Sequence, residues 1–225
     1  MSDAHIVCMG LIKEYHGGPG AVAALRGVDF SLERGEFAVL HGPSGSGKTT
    51  LLNIIGGLDA PSSGTVTVGG REITGLDDKE LSAYRNRAVG FVFQSYQLLP
   101  HLSAVENVAV PLLVAGVPLD EARSRATELL AELELADKAP FRPARLSGGQ
   151  QQRIALARAL VTEPELLLGD EVTGNLDSTT AAAILELIRQ HAARRKLTVL
   201  LVSHDATVVA AADRKLEIVD GHLVL

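Results

Sequence analysis

The sequence predicts an α/β fold with three parts: a parallel-sheet core, an antiparallel β layer on its N-terminal side, and a helical insertion. Three observations carry this. Short β-type runs punctuated by glycine turns dominate the N-terminal third. Helical periodicity dominates the stretch from about residue 95 to 160. Strand–helix alternation then returns, with strands apolar throughout, as in parallel strands covered on both faces. A chain of 225 residues that is 46% apolar suits one domain with an inserted subdomain and is far from a disordered composition. With 21 Lys and Arg against 27 Asp and Glu, the surface lacks the basic excess of a general nucleic-acid binder. No nucleic-acid partner is expected.

In chain order, residues 6–9, 28–32 and 37–40 read as strands. Gly17-Gly18-Pro19-Gly20 and Glu33-Arg34-Gly35-Glu36 read as the turns between them. Residues 65–68 followed by Gly69-Gly70 read as part of a hairpin. Residues 120–135 place Ala122, Ala126, Leu129, Leu130 and Leu133 at helical spacing, and residues 151–160 form a further helix. Residues 166–168 and 198–202 are the buried parallel strands. A helix over 178–193 lies between them, with Ser178 or Thr179 as its N-cap. A final strand over 216–219 ends in the turn Asp220-Gly221.

The single cysteine, Cys8, excludes an intramolecular disulfide framework and a cysteine-rich zinc site; inside an apolar run it reads as a buried thiol. The first five residues lack the basic and apolar regions of a secretory signal, and no run reaches the ~18 apolar residues of a membrane span. The best stretch, 108–117, is too short and contains Pro111. The expectation is a cytoplasmic chain that reaches a membrane only through a partner.

Gly42-Pro43-Ser44-Gly45-Ser46-Gly47-Lys48-Thr49 fits G-x-x-x-x-G-K-[ST] at every position, after a strand and before the helical run that starts at Thr50. Glycines let backbone N–H groups curl around phosphate oxygens, and the helix N-terminus adds positive potential. Lys48 has the reach for β- and γ-phosphates, and the Thr49 hydroxyl suits Mg²⁺. No Asn-Lys-x-Asp guanine-recognition element is present, so ATP is the expected nucleotide. The apolar strand 166–168 runs through Gly169 into Asp170 and Glu171. Asp170 is placed to hold the Mg²⁺ shell, and Glu171 to polarise an attacking water as general base. Leu146-Ser147-Gly148-Gly149-Gln150 precedes a helix and makes a second anion cradle. Two such cradles in one chain make sense if each completes a site in a different subunit.

On these motifs the whole chain resembles the ATP-binding cassette (ABC) ATPases. Residues 146–150 match the family's signature motif. The resemblance implies a P-loop NTPase (RecA-like) core with β subdomain over about 1–94 and 161–225, and a helical subdomain over about 95–160. It implies adenine stacking for Tyr15, a glutamine-loop role for Gln94 that joins the core to the helical subdomain and sets it among the catalytic and Mg²⁺-binding residues, a D-loop role for Asp177 in Asn175-Leu176-Asp177, and a γ-phosphate-sensing role for His204. It also implies a homodimer, or pseudo-dimer, that sandwiches ATP: Ser147, Gly148, Gly149 and Gln150 of one subunit close over the nucleotide of the other. The family usually has proline after the catalytic glutamate and alanine before the aspartate. Val172 and Gly169 stand there instead. Val172 is expected to loosen the turn, Gly169 to add only backbone freedom, and the ATPase to remain active.

The stretches Gly56-Gly57-Leu58-Asp59, Gly90-Phe91-Val92-Phe93-Gln94, Leu98-Leu99-Pro100, Glu106-Asn107-Val108 and Thr173-Gly174-Asn175-Leu176-Asp177 resemble one group of cassettes. It contains the macrolide exporter MacB, the lipoprotein-release ATPase LolD and the cell-division protein FtsE. The sequence as it stands carries no second cassette, long coiled coil or fused membrane span. The resemblance therefore implies a transmembrane permease subunit in trans and a place on the cytoplasmic face of the inner membrane. Residues 95–118 follow Gln94 and are apolar at Leu98, Leu99, Leu102 and Val105, so they are expected to contact that subunit, partly through Tyr96 and Leu98. Export or lipoprotein release is the favoured branch. A regulator acting on extracytoplasmic enzymes and a soluble ATPase are the alternatives.

Overall fold

In the computed structural model, which describes residues 4–16 and 20–224, β1 (Ala4–His16) and β2 (Ala21–Glu33) pair antiparallel as one long hairpin. Both are far longer than the predicted strands at 6–9 and 28–32. The reason lies at Gly10 and Gly27, which flank the predicted strands. With φ of 58° and 80° beside shifts in the pairing register, they bulge the ladder without ending it. Asp29 Oδ1 accepts from the Gly10 N–H at 2.7 Å and pins one bulge. Of the turn expected at 17–20, Gly17, Gly18 and Pro19 lie outside the described residues. β4 (Ser63–Val68) pairs with the other edge of β1, and β5 (Arg71–Glu72) completes the order β2-β1-β4-β5. Gly69 and Gly70, both at positive φ, form the predicted two-residue hairpin turn.

The second sheet has the order β10-β9-β3-β8-β7-β6. It comprises β3 (Phe37–His41), β6 (Val89–Phe93), β7 (Leu166–Asp170), β8 (Thr198–Val202), β9 (Arg214–Val219) and β10 (His222–Val224). All pairings are parallel except that of β10 with β9. Alternate side chains enter different cores. Val39, Leu167, Val199 and Leu201 face α3 (Ala104–Val114), α4 (Leu119–Glu132), α5 (Gly148–Leu160) and α6 (Ser178–Arg195). Ala38, Leu40, Leu166, Leu168, Leu200 and Val202 face α1 (Lys48–Ile55), which is buried between the two sheets against Ile6, Leu11 and Leu25. This two-sided burial is why these strands read as unbroken apolar runs.

Helix ends are where the structure departs most from the expected pattern. α4 stops at Glu132, short of 135, because Glu134 turns to φ 61° while Leu133 and Leu135 stay buried. α5 begins at Gly148 rather than near 151, since Ser147 and Gln150 close a capping box. The N-cap of α6 is Asp177, not Ser178 or Thr179: its carboxylate accepts from the Thr179 and Thr180 N–H groups at 3.1 and 3.0 Å. α2 (Asp78–Arg87), capped by Asp77 and Glu80, lies where no element was predicted; α7 (Ala206–Ala210) follows β8. Cys8 is buried, and burial pushes its thiol up. Among the described residues no helix is long and apolar enough to cross a membrane.

Candidate functional site

The C-terminal ends of four adjacent parallel strands, β3, β8, β7 and β6, deliver one cluster. This is the edge at which open α/β sheets bind ligands. From β3 comes the glycine loop. Ser44, Gly45, Gly47, Lys48, Thr49 and Thr50 line a cavity of about 330 Å³ that they share with Gln94, Asp170 and Glu171. Gly42, Pro43 and Ser46 do not line it; Gly42 and Ser46 anchor the loop, and the Pro43 carbonyl accepts from the Ser46 N–H within it. A Cβ at Gly42 would fall 2.1 Å from the Ile218 carbonyl oxygen, and the Ser46 carbonyl accepts from the Gly221 N–H at 3.1 Å. Both contacts seat the loop against β9 and the turn after it. Gly47, at φ 104°, starts α1 against the Ala24 carbonyl, where a Cβ would come within 2.3 Å. The Lys48 ammonium donates to the Gly42 and Pro43 carbonyls at 2.9 and 2.6 Å, so it lies folded across the loop.

From β7 come Asp170 and Glu171. The Thr49 hydroxyl donates to Asp170 Oδ2 at 3.1 Å. Burial pushes the Asp170 carboxyl above its ordinary value; the Glu171 charge adds to this, while the Thr49 hydrogen bond and Lys48 oppose it. A hydroxyl and a carboxylate side by side are the hard oxygen donors that Mg²⁺ prefers. Among the described residues no group of three or more His, Cys, Asp or Glu could cage an ion. The pair offers two oxygen donors to such a cation. Glu171 sits at φ 50°, a left-handed conformation that non-glycine residues seldom hold outside functional sites. Its Oε1 meets His204 Nδ1, from the end of β8, at 2.7 Å. That hydrogen bond and the Glu171 charge raise the imidazole above its ordinary value. From β6 comes Gln94, whose backbone carbonyl accepts from Asn175 Nδ2 at 3.0 Å.

The second cradle is elsewhere. Ser147, Gly148, Gly149 and Gln150 line a separate cavity of about 480 Å³ with Asn175, Leu176 and Asp177, and the two cavities share no residue. Asp177 is engaged as the α6 cap, its Oδ2 also accepting from the Thr180 hydroxyl at 2.6 Å. Tyr15 does not line the phosphate cavity. It is half-exposed, its hydroxyl donates to Asp59 Oδ2 at 2.7 Å, and the Lys13 ammonium sits 4.8 Å from its ring centroid.

Several residues were invisible to motif reading. The buried Gln152 donates from Nε2 to the Val172 carbonyl at 2.7 Å. Arg158 donates to the carbonyls of Gln97 and Tyr96, holding the segment after Gln94. A cleft of about 460 Å³ between α2, β6, α3 and α5 is lined by Arg85, Phe91, Val110, Pro111, Val114 and Arg158 among others. Only the helical setting of Gln152 and Arg158 was legible, because their partners are remote in sequence.

The ABC transporter family matches residues 25–174. The chain is 46% identical over its whole length to the lipoprotein-releasing system ATP-binding protein LolD of Pseudomonas fluorescens, and covers 99% of that protein. It is 47% identical to the macrolide export ATP-binding/permease protein MacB of Rhodopseudomonas palustris; there all of this chain matches 34% of a longer protein. Among solved structures it is similar to the ATP-binding cassette MJ0796 in a dimeric post-hydrolysis state bound to ADP and Pi. The identity is 40% and the TM-score 0.91, over 98% of this chain and 97% of that one.

Proposed function

This chain belongs to the ABC transporter family, and from that premise we propose that it is an ATP-binding and ATP-hydrolysing subunit which drives a separate membrane subunit by closing as a dimer around ATP. The observation that carries the reading is the convergence of the glycine loop, Thr49–Asp170, Glu171–His204 and Gln94 at four neighbouring strand ends.

In this reading the loop N–H groups and the α1 N-terminus hold the phosphates. Lys48 exchanges two carbonyls for β- and γ-phosphate oxygens. Thr49, Asp170 and Gln94 would hold Mg²⁺, which supplies charge neutralisation on the phosphates when bound. Glu171 takes a proton from water as the water oxygen bonds to the γ-phosphorus and the bond to the ADP oxygen breaks. His204 holds the Glu171 carboxylate in place and follows the γ-phosphate. Tyr15 stacks on adenine once its side chain leaves Asp59.

Ser147 and Gly149 line a cavity that shares no residue with the phosphate cavity of their own chain, which supports a role at the partner's nucleotide. Two chains head to tail would let each close over the other's γ-phosphate, and both half-sites are complete here, so a homodimer suffices. The dimeric MJ0796 structures support that arrangement. We assign the helical subdomain to about 95–160 and the core to about 1–94 and 161–225. The membrane subunit docks on residues 95–118 and in the cleft beside them, where Leu99, Leu113 and Val114 are exposed. Work of the LolD or MacB kind, lipoprotein release or export, is the favoured class. It places the chain on the cytoplasmic face of the inner membrane.

The test is affinity capture of Glu171→Gln from detergent-solubilised native membranes with ATP. A stoichiometric membrane-spanning subunit should co-purify, and Val114→Asp should lose it while staying folded, because Val114 is 72% exposed. Recovery of the ATPase alone would contradict the transporter reading.

A further inference from the structure

We propose that Gln152 is a positioning residue for Glu171, tying the helix that closes over one nucleotide to the turn that acts on the other. The proposal rests on the two-chain ATP sandwich above. Gln152 lies in α5 one helical turn after Gly148, fully buried. Its Nε2 donates at 2.7 Å to the carbonyl of Val172, the residue directly after Glu171 and itself buried.

The other end of the amide argues for a role beyond packing. Gln152 Oε1 is buried and has no hydrogen-bond partner among the described residues. A methionine would fill similar space without an orphaned acceptor. A buried carboxamide satisfied on one side adds little net stability, and an unpaired buried group calls for another explanation. What the bond does is fix one carbonyl of the Glu171 turn. The turn is otherwise held by the Glu171 N–H on Val202 and the Gly174 N–H on the Glu171 carbonyl, both at 3.0 Å. Glu171 needs such support, because its backbone is left-handed.

The same helix begins with Ser147, Gly148 and Gly149. An α-helix is stiff over one turn, so a shift of its first residues against the partner's nucleotide is carried to Gln152 and from there to Val172. Each Glu171 is thereby set in place by closure of the opposite site.

Gln152→Met keeps the side-chain length and removes the donor. It should lower kcat about ten- to a hundredfold, the cost of misplacing a reacting group by an ångström or less. KM should stay within about twofold, since the phosphate loop is untouched, and Tm should stay within about 3 °C, since one orphaned acceptor replaces another. The ATP-bound dimer should form with Glu171 intact and outlast that of the wild type on gel filtration, because closing survives while hydrolysis is slowed. Gln152→Asn, too short to reach Val172, should lower kcat in the same range with KM within about twofold, although its Tm falls further because it leaves a cavity and an unpaired amide, and it decides the matter if the methionine variant does not fold. Wild-type kcat in a folded variant, or a loss of kcat accompanied by a rise in KM well beyond twofold, would overturn the proposal alone. A wild-type chain that neither hydrolyses ATP nor dimerises with it would overturn the sandwich reading and this proposal with it.

Discussion

Gly169→Ala measures how tightly the Glu171 turn is packed. A Cβ at position 169 would lie 2.6 Å from Val172 Cγ1 and 2.6 Å from Leu201 Cδ2. Carbon atoms in contact normally stand about 3.5–4.0 Å apart, so each neighbour must retreat by about 1 Å. Leu201 can swing its end away. Val172 is stiff at χ1, and displacing it displaces the turn that carries Glu171. Overpacking of this kind costs about 1–3 kcal/mol. In a chain of this size each kcal/mol lowers Tm by about 2–4 °C, so the fall should be about 2–12 °C. kcat should drop with it. Gly169→Ala/Val172→Ala removes one of the two clashes and should recover part of the loss, with a favourable coupling of at least about 0.5 kcal/mol. Calorimetry and steady-state ATPase rates on the four proteins of this cycle give the answer. A Gly169→Ala chain that melts with wild type, or strictly additive losses, would refute the packing argument. These close approaches correct the expectation that Gly169 adds only backbone freedom. Its φ is not in the left-handed region; it supplies space that Val172 occupies, so the two departures from the family pattern form one packing unit.

Three further outcomes follow from the same site. Lys48→Ala should leave the fold intact and weaken ATP binding about 10- to 150-fold in calorimetric titration, the worth of a charge-assisted hydrogen bond of about 1.5–3 kcal/mol; unchanged affinity would remove Lys48 from the site. Gly47→Ala meets the Ala24 carbonyl, which cannot yield, at 2.3 Å, whereas Gly45→Ala at φ 78° meets open space. The first should cost well over the ~1–2 kcal/mol of left-handed strain that the second costs, read by urea unfolding, and equal losses would contradict the loop geometry. The His204 midpoint, followed by NMR, should lie above the ordinary ~6.5 and fall back toward it in Glu171→Gln. Since the folded value is raised, whatever the pair contributes to stability is full below about pH 6.5 and is lost as pH rises through the folded midpoint. A midpoint indifferent to Glu171 would show the contact to be absent in solution.

Residues whose chemistry is local were legible in the sequence. The glycine loop needs glycine, lysine and threonine at fixed spacing, and β7 announces itself as an apolar run ending in Asp170 and Glu171. Ser147 was legible as a helix start, though its exact cap geometry was not. What escaped depends on partners far along the chain. His5 Nδ1 lies 2.5 Å from Thr198 Oγ1, joining β1 to β8 across 193 positions. Gln152 reads as one more polar residue on a helix until Val172 is beside it. The long hairpin was misread for a local reason, since a glycine at a bulge and a glycine at a strand end look alike. The α6 cap went to Asp177 because its backbone is the last extended one before the helix, with Ser178 already inside it; residue type alone could not decide this, since Asp and Ser cap about equally well.

The central claim is that two chains share two ATP molecules, and sedimentation of Glu171→Gln tests it most directly. A monomer is expected without nucleotide or with ADP, and a dimer carrying one ATP per chain with ATP. A return to monomer is expected when Ser147→Arg is added, because Ser147 lines only the second cavity. A Glu171→Gln chain that stays monomeric at saturating ATP, or a dimer indifferent to Ser147→Arg, would contradict it.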